Sequence, residues 1–191
     1  MPRKKLLFAA LLLPFFGLSG CASSEAEKPV EKLTYFDVPG FVADQVKLLE
    51  NTQSGLQKTV GFGHEKPETR RLSRPDWTKE LTLFREIDLN KKALQGLYTE
   101  TRTQFPDGEK LLYTRNSDAD APFALVEITR QQQRVTSLRA VYEQENGLFF
   151  NREERLLTTS SNGRLRTYQI AGVQKVRFFD SLNYAINSRL P

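Results

Sequence analysis

The sequence predicts an α+β fold in which two N-terminal helices pack on a curved antiparallel meander of about seven strands. Three observations support this fold class. Apolar residues recur at helical spacing in two stretches of the first half, and from Gly96 onward they alternate with a period of two. Strong turn signals join the alternating runs, namely Pro106-Asp107-Gly108, Asn146-Gly147 and Asn162-Gly163. Bulges at strand glycines would curl such a sheet into a half-barrel.

The first predicted helix covers residues 40–52, and the second begins at Pro75-Asp76-Trp77 and ends near Leu89 or Asn90. Ser73 is the expected N-cap of the second helix, with Pro75 in its first turn. Between the helices, residues 55–63 alternate as a strand. Residues 64–74 are polar and contain a proline, so a loop is expected there.

The later strands are predicted at residues 97–105, 110–115, 123–130, 135–144, 148–159 and 165–179. Gly172 is expected to form a bulge in the longest of them. Residues 180–190 fit two structures. Leu182, Tyr184 and Ile186 alternate as in a last strand, which is preferred, whereas Leu182, Ile186 and Leu190 also fit a short helix.

The chain has 191 residues, 28 of them basic and 23 acidic. Three of the basic residues lie within residues 1–20, so the remaining chain carries almost no net charge. Nucleic-acid binding, which needs a clustered positive excess, is therefore not expected. Cys21 is the only cysteine, which excludes an intrachain disulfide and any cysteine-based zinc site or nucleophile elsewhere in the chain.

The N-terminal stretch has the layout of a secretory signal peptide. Basic residues at positions 3–5 precede an apolar run from Leu6 to Phe16, and small residues follow. The run is shorter than the ~20 residues of a membrane-spanning helix. The N-terminal stretch ends in Leu18-Ser19-Gly20-Cys21, which resembles the lipobox of bacterial lipoproteins.

This resemblance implies that residues 1–20 are removed and that Cys21 is acylated, with palmitate among the acyl chains. Residues 21–34 would then be a lipidated flexible tether, since residues 22–32 are polar. Residues 35–191 would form a single globular domain. Ala22 stands where an aspartate commonly retains such lipoproteins at the inner membrane. The expected location is therefore the bacterial outer membrane, and both its periplasmic face and the cell surface remain open.

The domain carries weaker resemblances. The pattern from Trp77-Thr78-Lys79-Glu80-Leu81 through Phe84 to Asp88-Leu89-Asn90-Lys91 is similar to one in uncharacterised envelope lipoproteins of double-membraned bacteria, and it implies no known activity. The predicted architecture also resembles lipoprotein carriers of the bacterial envelope, in which a curved sheet closed by helices holds acyl chains. That second resemblance is one of fold alone.

The sequence contains few residues in arrangements suited to catalysis or metal binding. His64 is the only histidine, and no nucleophile elbow accompanies it. Residues 116–120 match the first half of a calcium loop, but Ala121 occupies the glycine position. The acidic pairs Glu143/Glu145 and Glu153/Glu154 are explained by ion pairs with neighbouring arginines. The protein is therefore predicted to be no enzyme and to use neither a cofactor nor a metal.

The predicted function is that of a binding module for an apolar ligand or an envelope protein, anchored to the membrane through Cys21. Aromatic residues that alternate onto groove faces are the candidate contacts, with ordinary core packing as the alternative for each: Phe62, Tyr98, Tyr113, Phe149 and Tyr168. Two other functions stay open. One is an accessory subunit of an envelope assembly without a small ligand, and the other, less favoured, is a hydrolase.

Overall fold

The computed structural model describes residues 33–191, and Leu33–Pro191 forms one compact unit. The predicted signal peptide, Cys21 and nearly all of the predicted tether lie outside the described residues. Within that part of the chain, none of the helices has the length and apolar content needed to cross a bilayer.

An open antiparallel sheet of nine strands dominates the fold. Its strands are β1 (Leu56–Phe62), β2 (Glu68–Leu72), β3 (Tyr98–Phe105), β4 (Gly108–Arg115), β5 (Phe123–Gln131), β6 (Arg134–Glu145), β7 (Phe149–Thr159), β8 (Leu165–Val176) and β9 (Leu182–Arg189). Their order across the sheet is β2-β1-β9-β8-β7-β6-β5-β4-β3. The sheet and its hairpins confirm the predicted α+β class, and the final segment is a strand. The sheet has more strands than predicted.

The extra strand β2 lies in the segment predicted to be a loop. Four of its five residues are polar and exposed, as is common in an edge strand, and Leu72 packs partly against the core. Pairing with β1 stabilises it, and the Thr59 and Thr69 hydroxyls hydrogen-bond at 2.8 Å across the two strands. Strand pairing therefore overrides a local composition that is typical of loops.

Gly172 was predicted to form a bulge and does not. It pairs in regular register with Glu153 on β7 and Tyr184 on β9. The irregularities of pairing fall elsewhere, within β5 and near the end of β7. The reason for a glycine at position 172 lies instead in its close approach to a neighbouring ring.

Three helices cover one face of the sheet: α1 (Val38–Asn51), α2 (Trp77–Glu80) and α3 (Thr82–Arg85). The Asp37 side chain caps α1 by accepting a hydrogen bond from the Gly40 amide at 2.9 Å. The inner sides of α1 and α3 bury Val42, Leu49 and Phe84 completely. These side chains join the apolar residues of β4 to β8 in one continuous core.

The second predicted helix is present only as two single turns, α2 and α3, separated at Leu81. The Thr82 hydroxyl donates to the Thr78 carbonyl at 2.8 Å, a local bond that competes with regular helical geometry. The N-cap is Asp76, which accepts from the Lys79 amide at 3.1 Å, and not Ser73 as predicted. Asp76 directly precedes the first helical residue, whereas Ser73 lies four residues before it.

The start of the domain is held by the side chain of Asn90. Its Oδ1 accepts hydrogen bonds from the backbone amides of Thr34 and Tyr35 at 3.0 and 2.9 Å, and its Nδ2 donates to the Tyr35 carbonyl at 3.1 Å. Tyr35 packs edge-on against Tyr98 and Tyr113. The chain that leads into α1 is therefore fixed at the first residue of β3.

We expect Asn90→Ala to lower the free energy of unfolding by about 1–3 kcal/mol, because it removes the partners of three backbone groups. Urea denaturation followed by circular dichroism measures this change. Asn90→Asp is the matched control, since it keeps the acceptor and loses only the donor. An equal loss in both variants would contradict the proposed role of the Oδ1 acceptor.

Candidate functional site

A buried ionic cluster lies on the helix-covered face of the sheet. Arg155 and Glu153 are only 4% and 7% exposed, and their side chains meet at 2.5 Å between Nε and Oε1. The guanidinium also donates to the Leu83 carbonyl in α3, and it lies 5.5 Å from the ring centres of both Phe123 and Tyr142. Because a buried charge must be paired, these contacts make Arg155 a junction between the helices and three strands.

Tyr184 completes the cluster from β9. Its phenol donates to Glu153 Oε2 at 2.5 Å, and its ring crosses β8 directly over Gly172. A Cβ atom at position 172 would lie only 2.5 Å from the Tyr184 hydroxyl. Burial raises the pKa of Tyr184 well above its ordinary value, and the neighbouring Glu153 carboxylate raises it further. The phenol is therefore held as a neutral donor.

A second polar group lies under α2. Glu80 Oε2 accepts from Lys58 Nζ at 2.8 Å and also from the Tyr168 hydroxyl. The buried hydroxyl of Ser188, whose residue pairs with Lys58 across β1 and β9, has no hydrogen-bond partner. Lys58 and Ser188 thus form no nucleophile–base pair. Like the Arg155 cluster, this group ties a helix to the sheet.

The described surface has one unusual feature, a concentration of large apolar side chains at one end of the strands. We call it the apolar sheet end, and it comprises Phe62, Leu148, Val176, Phe178, Phe179 and Leu182. Strand register brings these residues to the same end, since Phe62 pairs with Tyr184 and Val176 with Phe149. Patches of this kind mark interaction surfaces in soluble domains.

The turn between β8 and β9 is the most exposed part of this surface. Phe178 is 89% exposed and Phe179 is 72% exposed. Phe178 also has a backbone φ of +73°, which is rare for a bulky residue and costs of order 1–3 kcal/mol. Neither burial nor relaxed backbone geometry within the fold accounts for an aromatic residue at this position, which points to an external partner.

Two clefts are open to solvent, and neither is lined by a residue of the apolar sheet end. One, of about 640 Å³, is lined by residues in and directly beside β1, β2 and β9, including Leu56, Leu72 and Leu190 at the opposite end of the strands. Another, of about 530 Å³, has a charged lining that includes Arg115, Asp120 and Glu143. The space between the sheet and the helices is filled by core side chains.

The five aromatic residues predicted as ligand contacts fall into two groups. Tyr98, Tyr113 and Tyr168 are buried in the core, where they contact the protein itself and not solvent. Phe62 belongs to the apolar sheet end, and the half-buried Phe149 lies beside it. Two members of this surface, Phe178 and Phe179, were not singled out because the sequence pattern placed them inside a strand. Their adjacency beside Asp180-Ser181 was the signal available for a turn.

The other candidate groups are dispersed. His64 is exposed in the turn between β1 and β2. The Asn116 side chain is used structurally, because it accepts from the Thr99 hydroxyl at 2.7 Å and donates to the Gly96 carbonyl at 3.0 Å. Across residues 33–191, no group of three His, Cys, Asp or Glu side chains is placed to hold a metal.

The two predicted acidic pairs are arranged differently on their strands. Glu153 lies on the helix-covered face, whereas Glu154 lies on the other face and accepts from Arg139 at 2.5 Å. Glu143 and Glu145 are two residues apart and share a face of β6, and Glu143 forms ion pairs with Arg115 and Arg152. Glu153 and Glu154 therefore do not present two carboxylates to one substrate, and the Glu143 carboxylate is engaged by two arginines.

Comparison with known proteins adds no relative. No protein family, curated protein or solved structure matches this chain. The geometry of the described residues therefore carries the functional argument, and within it the apolar sheet end is the feature that intramolecular packing does not explain.

We expect Gly172→Ala to destabilise the protein by about 1–3 kcal/mol, because the new methyl group displaces the Tyr184 ring from Glu153. Gly61→Ala is the matched control in β1, since its Cβ would meet nothing closer than 3.5 Å. Urea unfolding measures both variants. Combining Gly172→Ala with Tyr184→Ala should cost less than the sum of the single changes. Full additivity would contradict the contact.

The raised pKa of Tyr184 makes stability depend on alkaline pH. The folded state holds the phenolic proton more tightly than the unfolded chain, whose tyrosines ionise near pH 10.0. The contribution of Tyr184 to the free energy of unfolding is therefore complete below that pH and is lost progressively above it. Tyr184→Phe should make the fall shallower by up to about 1.4 kcal/mol per pH unit. Urea unfolding at a series of pH values tests this, and an unchanged slope in the variant would contradict it.

Proposed function

We propose that this protein is a non-enzymatic lipoprotein of the bacterial outer membrane that works by binding an apolar partner through its apolar sheet end. The exposed pair Phe178 and Phe179 is the observation that carries the proposal. Large apolar side chains in water cost free energy that a partner's surface would recover on binding. The lipobox at Cys21 supplies the anchor that keeps this surface near the membrane.

The same surface favours an external partner over an enclosed ligand. A carrier would need an apolar cavity between sheet and helices, and in the described fold that layer is filled by Trp77, Phe84, Tyr168 and their neighbours. We also propose that the sheet curves toward a half-barrel, as the sequence predicts. Irregular pairing between Phe123 and Leu125 supports it, because bulges increase local twist.

The alternative is an accessory subunit of an envelope assembly that docks by strand addition. The edge strand β3 favours it, since β3 is eight residues long, is exposed over most of its length and contains no proline. Its outer backbone groups could pair with a strand from another protein. Glu100 and Arg102 form an ion pair at 3.0 Å on this strand, and charges of that kind discourage unspecific pairing.

Site-specific photocrosslinking in native membranes tests the binding surface. A benzophenone amino acid replaces Phe179 in the apolar sheet end, Thr101 in β3 or Leu48 in α1. We expect a discrete adduct, with lipid or protein, only from position 179. An adduct from position 101 alone would support the strand-addition alternative. Equal labelling from all three positions would contradict a defined binding surface.

Metabolic labelling tests the anchor. Cys21→Ser should abolish incorporation of an alkyne-tagged palmitate and should release the protein from membranes washed with carbonate, because the thiol that carries the lipid is gone. Ser23→Ala is the control and should keep both properties. Persistence of the label in Cys21→Ser would overturn the lipobox assignment and leave the binding surface untouched.

A further inference from the structure

We infer that the turn between β8 and β9, residues 177–181, inserts Phe178 and Phe179 into the interface of the membrane that carries the lipid anchor. The bilayer would thus be the apolar partner of the apolar sheet end. This inference rests on the proposed function, because it assigns an occupant to the same surface. It adds a second, reversible membrane contact to the covalent one at Cys21.

The chemistry of the turn fits a lipid interface. Its two aromatic rings project from the fold, and two basic residues precede them, Lys175 at the end of β8 and Arg177 in the turn. The Arg177 guanidinium lies 5.2 Å from the centre of the Phe178 ring. Basic side chains beside an apolar tip can place their charges among lipid phosphates while the rings enter the acyl boundary. Asp180 is the one acidic residue of the turn.

The neighbouring side chains extend the apolar surface behind the tip. Leu182 and Val176 follow directly along β9 and β8. Phe62 and Leu148 lie on the adjoining strand ends, where the Gly63 amide donates to the Asn183 carbonyl at 2.7 Å and the Arg177 amide donates to the Leu148 carbonyl at 2.8 Å. The inserted pair would therefore be backed by further apolar area that touches the interface without penetrating it.

The position of the tether supports the same orientation. Thr34 and Tyr35 are fixed beside the first residue of β3, which belongs to the same end of the strands as the apolar residues. The chain from Cys21 to Leu33 spans at most ~40 Å even when fully extended. An anchor at Cys21 therefore holds the domain within this distance of the bilayer, at a high effective concentration, so a weak insertion suffices.

Vesicle binding tests the inference on the mature chain, residues 21–191, carrying Cys21→Ser so that no lipid is attached. The vesicles contain phosphatidylethanolamine and phosphatidylglycerol, and sedimentation gives the partition coefficient. We expect measurable binding and a loss of about tenfold or more on Phe178→Ser/Phe179→Ser, because two rings no longer enter the interface. Leu48→Ser, which changes an exposed apolar residue of α1, should bind like the parent chain.

A spectroscopic variant reports insertion itself. Phe179→Trp should show a blue-shifted emission and quenching by brominated lipids, whereas Leu48→Trp should show neither. The native Trp77 is buried and gives a constant background in both proteins.

The basic residues of this segment are tested separately. Lys175→Ala/Arg177→Ala should weaken binding to vesicles with phosphatidylglycerol more than to vesicles without it, because the two cations attract anionic lipid.

The outcomes separate the inference from the proposed function. Absence of vesicle binding by the parent chain, or equal binding by the Phe178→Ser/Phe179→Ser variant, overturns the membrane inference. A protein adduct from position 179 in native membranes would then keep the binding function with a protein as partner. If vesicle binding and the adduct are both absent, the membrane inference and the proposed function both fail.

Discussion

The burial of one guanidinium group connects the layers of this fold. Arg155 projects from β7 into the helix-covered face, where it bonds Glu153 and the Leu83 carbonyl and lies beside two aromatic rings. Removing a single partner would leave a buried charge without compensation, at a cost of about 3–5 kcal/mol. The short turns α2 and α3 have little stability of their own. Their position over the sheet depends on such polar contacts together with the burial of Trp77 and Phe84.

Much of the sheet could be predicted because its code is local. The alternation of apolar residues and the turn residues predicted β3 to β9 to within a few residues. Both signals depend only on residues that are neighbours in the sequence. The edge strand β2 was missed because its stabilising partners lie in β1. The break at Leu81 was missed because apolar residues recur every three or four positions on both sides of it. The competing hydrogen bond of the Thr82 hydroxyl does not change this spacing.

The candidate site was less predictable than the fold. The alternation along β7 places Arg155 on the same face as the buried Leu157, but the charged run of residues 152–155 suggested a solvated strand face. Whether Phe178 and Phe179 are assigned to a strand or to an exposed turn depends on where β8 ends, and the ends of elements are the least certain part of a sequence pattern. Buried tyrosines and exposed phenylalanines share the same alternation, so only the three-dimensional arrangement separates core from surface.

The pairing of β1 with β9 has a consequence for biogenesis. β9 is synthesised after every other strand, so β1 and β2 can form only an isolated hairpin until the intervening chain has been made. Isolated two-stranded hairpins are marginal in water. Closure of the N-terminal hairpin onto β9 is thus a late folding step, and it carries a large loop-closure entropy. A chain truncated within β9 would lose the attachment of its own beginning as well as its end.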